Sequence, residues 1–272
     1  MLRLVFVSFV IVLLAGCGSM ADPTSWFGDD VSRVEPNELV SFEEELKVET
    51  LWKKDIGSGT GNKRLKLVPR VHNSRVFVAD SEGLVQAIDA NSGSRIWSVE
   101  TDLPLSGGPG SDGELVIVGT ADGDVIALNH ESGTEIWRAR VSSEILSVPA
   151  AAMGVVVVHT IDGKLFGLNA TDGKQLWLYS REVPVLTLRG SSSPVISGNT
   201  VYAGFAGGKL VALELTSGVM QWELTITAPS GRSELERMVD IDGDPLVSNG
   251  VVYVSTYQGE VAAVGHYTGC LL

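Results

Sequence analysis

Five segments of the chain share one frame, and that repeat limits what the sequence can fold into. They read EGLVQAIDANSGSRIW, DGDVIALNHESGTEIW, DGKLFGLNATDGKQLW, GGKLVALELTSGVMQW and QGEVAAVGHYTGCLL. Take the turn glycines Gly83, Gly123, Gly163, Gly208 and Gly259 as origin. An aliphatic residue stands five positions later (Ile88, Leu128, Leu168, Leu213, Val264) and a second glycine ten later (Gly93, Gly133, Gly173, Gly218, Gly269). In four segments a tryptophan follows at fourteen (Trp97, Trp137, Trp177, Trp222). Backwards, a valine lies seven before the origin (Val76, Val116, Val156, Val201, Val252) and a proline fourteen before it (Pro69, Pro109, Pro149, Pro194, Pro245).

Each unit reads as four short strands. One follows the proline, and a β-branched one follows that, as in RVFVAD or VVVVHT. An Asp-Gly-like pair then makes a tight hairpin, because glycine accepts positive φ without a Cβ penalty. A third strand alternates as VxAL, and a Ser/Thr/Asp-Gly turn leads to a fourth strand ending at the tryptophan. Four strands in about 40 residues predict a β-propeller blade. The fold class is therefore all-β, with blades at 69–97, 109–137, 149–177, 194–222 and an incomplete one at 245–272. The small residue beside each aliphatic one (Ala87, Ala127, Gly167, Ala212, Ala263) suits close packing between neighbouring blades. The tryptophans read as blade-packing core rather than as a ligand cage.

A net charge of −13 argues against nucleic acid as partner, since counterion release needs clustered Lys and Arg. The first residues, MLRLVFVSFVIVLLAGCGSM, place Arg3 before an apolar run with the length of a secretory h-region. The run ends in Leu14-Ala15-Gly16-Cys17, which resembles the lipobox of bacterial lipoproteins. That resemblance implies a signal peptide over 1–16, lipid on Cys17 and a tether over 17–50 ahead of a propeller over 51–272. Several acyl chains on one residue give stable membrane anchoring. Gly18 and Ser19, with no Asp beside the cysteine, resemble the outer-membrane sorting signal of Gram-negative lipoproteins, which implies the periplasmic face of the outer membrane. Cys270 is the other cysteine of the chain, so a lipidated Cys17 leaves no intramolecular disulfide.

The repeats differ in one respect. From tryptophan to the next proline the spacing is 12 for Trp97 to Pro109 and for Trp137 to Pro149, then 17 for Trp177 to Pro194 and 23 for Trp222 to Pro245. In a four-stranded blade this link lies on the face of the Asp-Gly hairpins, so both insertions are expected on one face, on adjacent blades. Lengthened loops on one face of a repeat array are where binding usually resides. The first insertion holds Leu186 and Leu188 followed by Arg189; the second holds Asp240 and Asp242. Apolar anchors beside a forked cation and a carboxylate pair suit protein docking. The residues alone leave a second reading open, in which the leucines tuck into their own blade and the charges are merely solvated.

The frame G-x-[VL]-x-A-L…[ST]-G-x-x-x-W resembles the PQQ-like (WD40-like) propeller repeat. Together with the lipobox, the acidic tether, LTLRG and SELERMVDIDGDP, it resembles the lipoprotein B subunits of the outer-membrane β-barrel assembly machinery. That resemblance implies an eight-bladed, non-enzymatic scaffold docked on the periplasmic POTRA region of the central, BamA-like barrel protein. The other subunits would be met indirectly, and unfolded outer-membrane proteins would be the clients. Carried over to this chain, the partner-binding residues are Leu186, Leu188, Arg189, Asp240 and Asp242, with no cofactor.

The rival reading is a periplasmic quinoprotein dehydrogenase, whose repeats are similar. Such enzymes often carry vicinal cysteines and calcium-ligating Glu, Asn and Asp, and the sequence offers no such constellation. Asp240-Ile241-Asp242-Gly243-Asp244 has Val251 at its twelfth position, where an EF-hand needs a bidentate Glu. The four histidines (His72, His130, His159, His266) are scattered without metal-ligand spacing.

Counted from Gly259, the fifth tryptophan would fall one position past Leu272, so the last repeat reads as cut short and the chain as C-terminally truncated. Trp52 looks like an outer strand without its blade. An open arc with exposed edges is expected; the alternative is a five-bladed ring that the Trp52 strand completes. Cys270 falls at a turn position held elsewhere by Ser94, Thr134, Lys174 and Val219 and is expected to be an exposed thiol.

Overall fold

A computed structural model of the chain describes residues 38, 40, 41, 43, 45–233, 235–257 and 260–272. Residues 1–37, with the expected signal peptide and Cys17, lie outside the described residues, as does the turn glycine Gly259. The chain divides into two units, Met1–Glu49 and Thr50–Leu272. In the first unit, every described residue is exposed.

The second unit is a succession of five sheets, antiparallel except for one short parallel pair, with no helix among the described residues. β1 (Lys66–Leu67) and β2 (Arg70–His72) flank Pro69, where the chain passes from one sheet to another. The first blade is β2, β3 (Arg75–Ala79), β4 (Leu84–Asp89) and β5 (Arg95–Glu100). The second is β6 (Leu105–Ser111), β7 (Leu115–Thr120), β8 (Asp124–Asn129) and β9 (Glu135–Arg140), with β1 added in parallel beside β6. The third holds β10 (Ala150–Ala152), β11 (Val155–Thr160), β12 (Lys164–Asn169) and β13 (Gln175–Ser180). The fourth holds β14 (Val195–Ser197), β15 (Thr200–Phe205), β16 (Lys209–Glu214) and β17 (Met220–Thr225). The fifth has β18 (Leu246–Ser248), β19 (Val251–Ser255) and β20 (Val261–Gly265), with Leu271 bridging Val264 where a fourth strand would lie. The innermost strands touch in chain order, from β2 to β6, β10, β14 and β18.

The tryptophans join each blade to the next. The Trp137 indole N–H donates to the Ala170 carbonyl at 2.7 Å, and its ring lies on Gly173. A Cβ at Gly173 would stand 2.6 Å from that ring, and the backbone there has φ of +72°, so two independent constraints demand glycine. The same pair of contacts joins Trp97 to His130 and Gly133, Trp177 to Leu215 and Gly218, and Trp222 to His266 and Gly269. Trp52 makes it too, donating to Ala90 at 2.9 Å with its ring on Gly93. It therefore stands toward the first blade as an outer-strand tryptophan of a preceding blade would. Among the described residues, no ladder joins its segment to β20, which disfavours the five-bladed ring.

Between successive blades lie apolar clusters. Trp137, Ile117 and Val125 meet Val156, Val158 and Phe166 between the second and third, and Trp177 and Val157 meet Val201 and Val211 between the third and fourth. Two features depart from the sequence reading. The outer strands run three residues past the tryptophan, and each complete blade has a register shift at the small residue, between Ala87 and Ile88, Ala127 and Leu128, Gly167 and Leu168, and Ala212 and Leu213. The shift leaves Ile96, Ile136 and Leu176 unpaired beside their tryptophans, and all three are exposed. The small residues sit opposite their own blade's tryptophan, as Gly167 does with Trp177, so they make room for that ring rather than for the neighbouring blade alone. On the fifth blade the face that elsewhere meets a neighbour is open. Tyr253 is 41 % exposed, whereas Tyr202 at the same repeat position is 1 % exposed. Cys270 is an exposed free thiol.

Candidate functional site

The links that leave the outer strands start on the hairpin face. Thr101, Val141, Arg181 and Ile226 each donate a backbone N–H to the turn glycine Gly83, Gly123, Gly163 or Gly208. Both long insertions therefore rise from one face, after the third and fourth blades. In the first, Val185 is 99 % and Leu186 41 % exposed, while Leu188 is half-buried. The tucked-in reading thus holds for part of Leu188 but not for Leu186. In the second, Met238, Val239 and Ile241 are buried anchors, and Leu235 is exposed. Ile241 lies flat on the backbone of β15, where a Cβ at Gly204 would stand 2.2 Å from Ile241 Cγ2.

The charged residues have unequal situations. Asp240 is 2 % exposed; one carboxylate oxygen accepts the Leu188 N–H at 2.8 Å and the other the Gly207 N–H at 2.9 Å. Asp242 is half-buried and faces Gly190. Burial pushes its carboxyl above the usual carboxylate range, the neighbouring Asp240 adds to that, and Lys66 opposes it. Arg189 projects from the loop and donates to Glu144 Oε1 at 2.5 Å and to the Arg64 carbonyl at 3.3 Å. Beside them Lys66 Nζ reaches Asp244 at 2.5 Å and the Ser191 carbonyl at 3.2 Å, and Asp244 also accepts the Ser193 N–H at 2.6 Å.

Two concavities adjoin these groups. One, of about 370 Å³, is lined by Arg64, Lys66, Leu146, Arg189, Ser191 and Asp242. The other, about 30 Å³, lies under the first insertion against Leu188, Asp240, Asp242 and His159. His159 is buried between the third and fourth blades, packs at a tilt against Phe205 with centroids 4.6 Å apart, and its Nδ1 donates to the Ser192 carbonyl at 2.8 Å. The three aspartates form no cation cage: Asp240 is spent on backbone amides and Asp244 on Lys66 and Ser193. Among the described residues, no group of three or more His, Cys, Asp or Glu has the geometry to hold a metal.

The structure brings Leu188 and Asp240 into direct contact and puts Arg189 and Asp242 on one concavity. The sequence reading missed Glu144, Arg64, Lys66 and Asp244. A signal was present. Five positions before the repeat prolines stand Arg64, Pro104, Glu144, Arg189 and Asp240, so the charges of the third, fourth and fifth blades occupy one repeat position.

The profile of the family described as "Outer membrane protein assembly factor BamB" matches residues 31–104 and 81–270. The chain belongs to the BamB family. Relatives bearing that name include one from Alkalilimnicola ehrlichii, 59 % identical over 257 residues (94 % of this chain, 63 % of the relative). Another, from Pseudomonas aeruginosa, is 55 % identical over 237 residues, covering 87 % of this chain and 62 % of the relative. The chain thus spans a little under two thirds of the length of these curated relatives. Among solved structures, BamB from Moraxella catarrhalis superposes with a TM-score of 0.70 at 28 % identity, covering 77 % of this chain and 63 % of that one. The quinohemoprotein alcohol dehydrogenase of Comamonas testosteroni gives 0.58 at 17 % identity over 76 % of this chain and 42 % of that one, a likeness of fold alone.

Proposed function

We propose that the chain is a non-enzymatic scaffold of the outer-membrane β-barrel assembly machinery. In this reading it docks on the periplasmic POTRA region of the central barrel protein and assists folding and insertion of outer-membrane proteins. The names of the relatives support assembly as the process. The observation that carries docking is the exposed Val185-Leu186 pair beside Arg189, on the face where two adjacent blades lengthen their loops. Arginine is among the residues enriched at interface hot spots, and the apolar pair beside it supplies surface that docking would remove from water. Asp242 and the exposed part of Leu188 complete the contact, while Asp240 serves it from beneath.

Capture of the central barrel protein from a membrane extract tests this reading. Leu186→Ala/Arg189→Ala is expected to weaken capture at least tenfold, since paired hot-spot truncations cost about 2 kcal/mol or more. Capture equal to that of the unaltered chain would count against it. The membrane anchor is assigned to lipid on Cys17, so Cys17→Ser is expected to release the protein into the soluble periplasmic fraction. Retention in the outer membrane would refute the lipid anchor.

A further inference from the structure

We infer that Glu144 and Asp240 are positioning residues that hold the Leu186–Arg189 loop in its docking shape from the blades on either side. The inference rests on the docking reading above but assigns these two carboxylates a different task from partner contact. Asp240 belongs to the chain that leads into the fifth blade, yet both of its oxygens are engaged elsewhere. One accepts the N–H of Leu188 inside the docking loop, and the other accepts the N–H of Gly207 in the hairpin of the fourth blade. A residue 2 % exposed with both oxygens occupied has little left to offer a partner.

Glu144 acts from the opposite side. It leads into the third blade, its side chain is 13 % exposed, and it holds the Arg189 guanidinium at 2.5 Å. The Arg64 carbonyl takes a second N–H of the same fork. A guanidinium gripped at two of its nitrogens is confined to one plane and direction, and the remaining donors point where a partner acceptor must come. Leu186, two residues before the first of these holds, has no such restraint among its described contacts and stays exposed. The arrangement divides the labour: carboxylates of the flanking blades set the loop, and the loop presents leucine and arginine. Preorganisation of this kind raises affinity by reducing the ordering that binding would otherwise require.

The repeat position makes the arrangement economical. Glu144, Arg189 and Asp240 each stand five residues before a blade proline, so successive blades bring them to equivalent places around the inner strands. A negative, a positive and a negative residue in consecutive blades make a bracket whose middle member carries the docking loop.

The test uses the full chain with Asp240→Asn, Glu144→Ala and, for comparison, Leu186→Ala. An asparagine can offer its oxygen to the Leu188 or the Gly207 amide but must turn its NH2 toward the other. Hydrogen exchange at one or both of these amides is therefore expected to quicken at least tenfold in Asp240→Asn, with no change in Leu186→Ala. In Glu144→Ala, the Arg189 Nη2–H resonance, whose donor faces Glu144 Oε1, is expected to lose its protection from exchange. Both clamp variants are expected to bind the periplasmic region of the barrel protein three- to tenfold more weakly. Unchanged exchange in Asp240→Asn, or tight binding despite faster exchange, overturns the inference. If Asp240→Asn does not fold, Glu144→Ala decides the matter alone, because the ion pair it breaks is open to solvent on the side of Arg189, whose side chain is 54 % exposed, and such pairs contribute little to folding. Weaker binding in Leu186→Ala without any exchange effect in the clamp variants keeps the docking reading and removes the clamp. Unaltered binding in Leu186→Ala removes the docking reading itself, whatever the exchange shows.

Discussion

Trp137→Ala is expected to destabilise the chain by about 3–5 kcal/mol, the range for emptying a buried aromatic site. Trp137 is buried in the cluster between the second and third blades, so the loss falls on an interface rather than within one sheet. The substitution removes a ring that fills the space above Gly173 and also leaves the Ala170 carbonyl without its indole donor. Blade arrays are stabilised by nearest-neighbour interfaces, so one weakened interface lowers the cooperativity of unfolding as well as its midpoint. Urea unfolding followed by tryptophan fluorescence and by circular dichroism reads both. Trp137→Phe narrows the division, since it keeps a smaller aromatic ring while losing the N–H and part of the indole volume; leaving the Ala170 carbonyl unpaired accounts for about 1–3 kcal/mol of its cost. A loss below about 1 kcal/mol in Trp137→Ala would show that the indole is not what joins the blades.

His159 gives the second large effect, and it depends on pH. Burial depresses the imidazole from its ordinary 6.5 to about 4; the hydrogen bond to the Ser192 carbonyl opposes this, Lys66 adds to it, and Asp162 opposes it. A base whose folded pKa lies below its unfolded one binds its proton more readily when unfolded. The stability that comes from keeping His159 neutral is therefore complete above pH 6.5 and lost as pH falls from there through 4. A shift from 6.5 to about 4 corresponds to about 3 kcal/mol. The expected result is that the unaltered chain loses about this much more stability than His159→Gln between pH 7 and pH 4. Gln retains a donor for the Ser192 carbonyl without a proton to gain. Parallel stability curves for the two proteins would contradict the assignment.

The blades were legible because each repeated residue performs a local task at a fixed offset. Gly173 must accept positive φ and the ring of Trp137, and both demands recur in every blade, so the spacing appears in the sequence. The insertions were legible for the same reason, as interruptions of a regular count. What escaped was whatever depends on partners in other blades. Arg189 meets Glu144 across 45 positions, and Lys66 meets Asp244 across 178. Charge type says nothing about such pairings until the blades are placed around common inner strands. Asp240 shows the limit most clearly. Its place in a loop rich in aspartates suggested a surface carboxylate, yet the buried Met238, Val239 and Ile241 around it draw it inward, where two backbone amides compensate its desolvation. The register shift that exposes Ile136 was equally hidden, because a bulge leaves the alternation of side chains on either side looking regular.

The central claim is that the face carrying Leu186 and Arg189 docks the periplasmic region of the barrel-assembly protein. Calorimetric titration of the full chain with that purified region measures it directly. Ile136→Ala serves as the control, since Ile136 is an equally exposed aliphatic residue on the outer edge of the second blade. Saturable one-to-one binding is predicted, at least tenfold weaker in Leu186→Ala/Arg189→Ala and unchanged in Ile136→Ala. Equal affinity of the docking-loop variant and the unaltered chain would contradict the account.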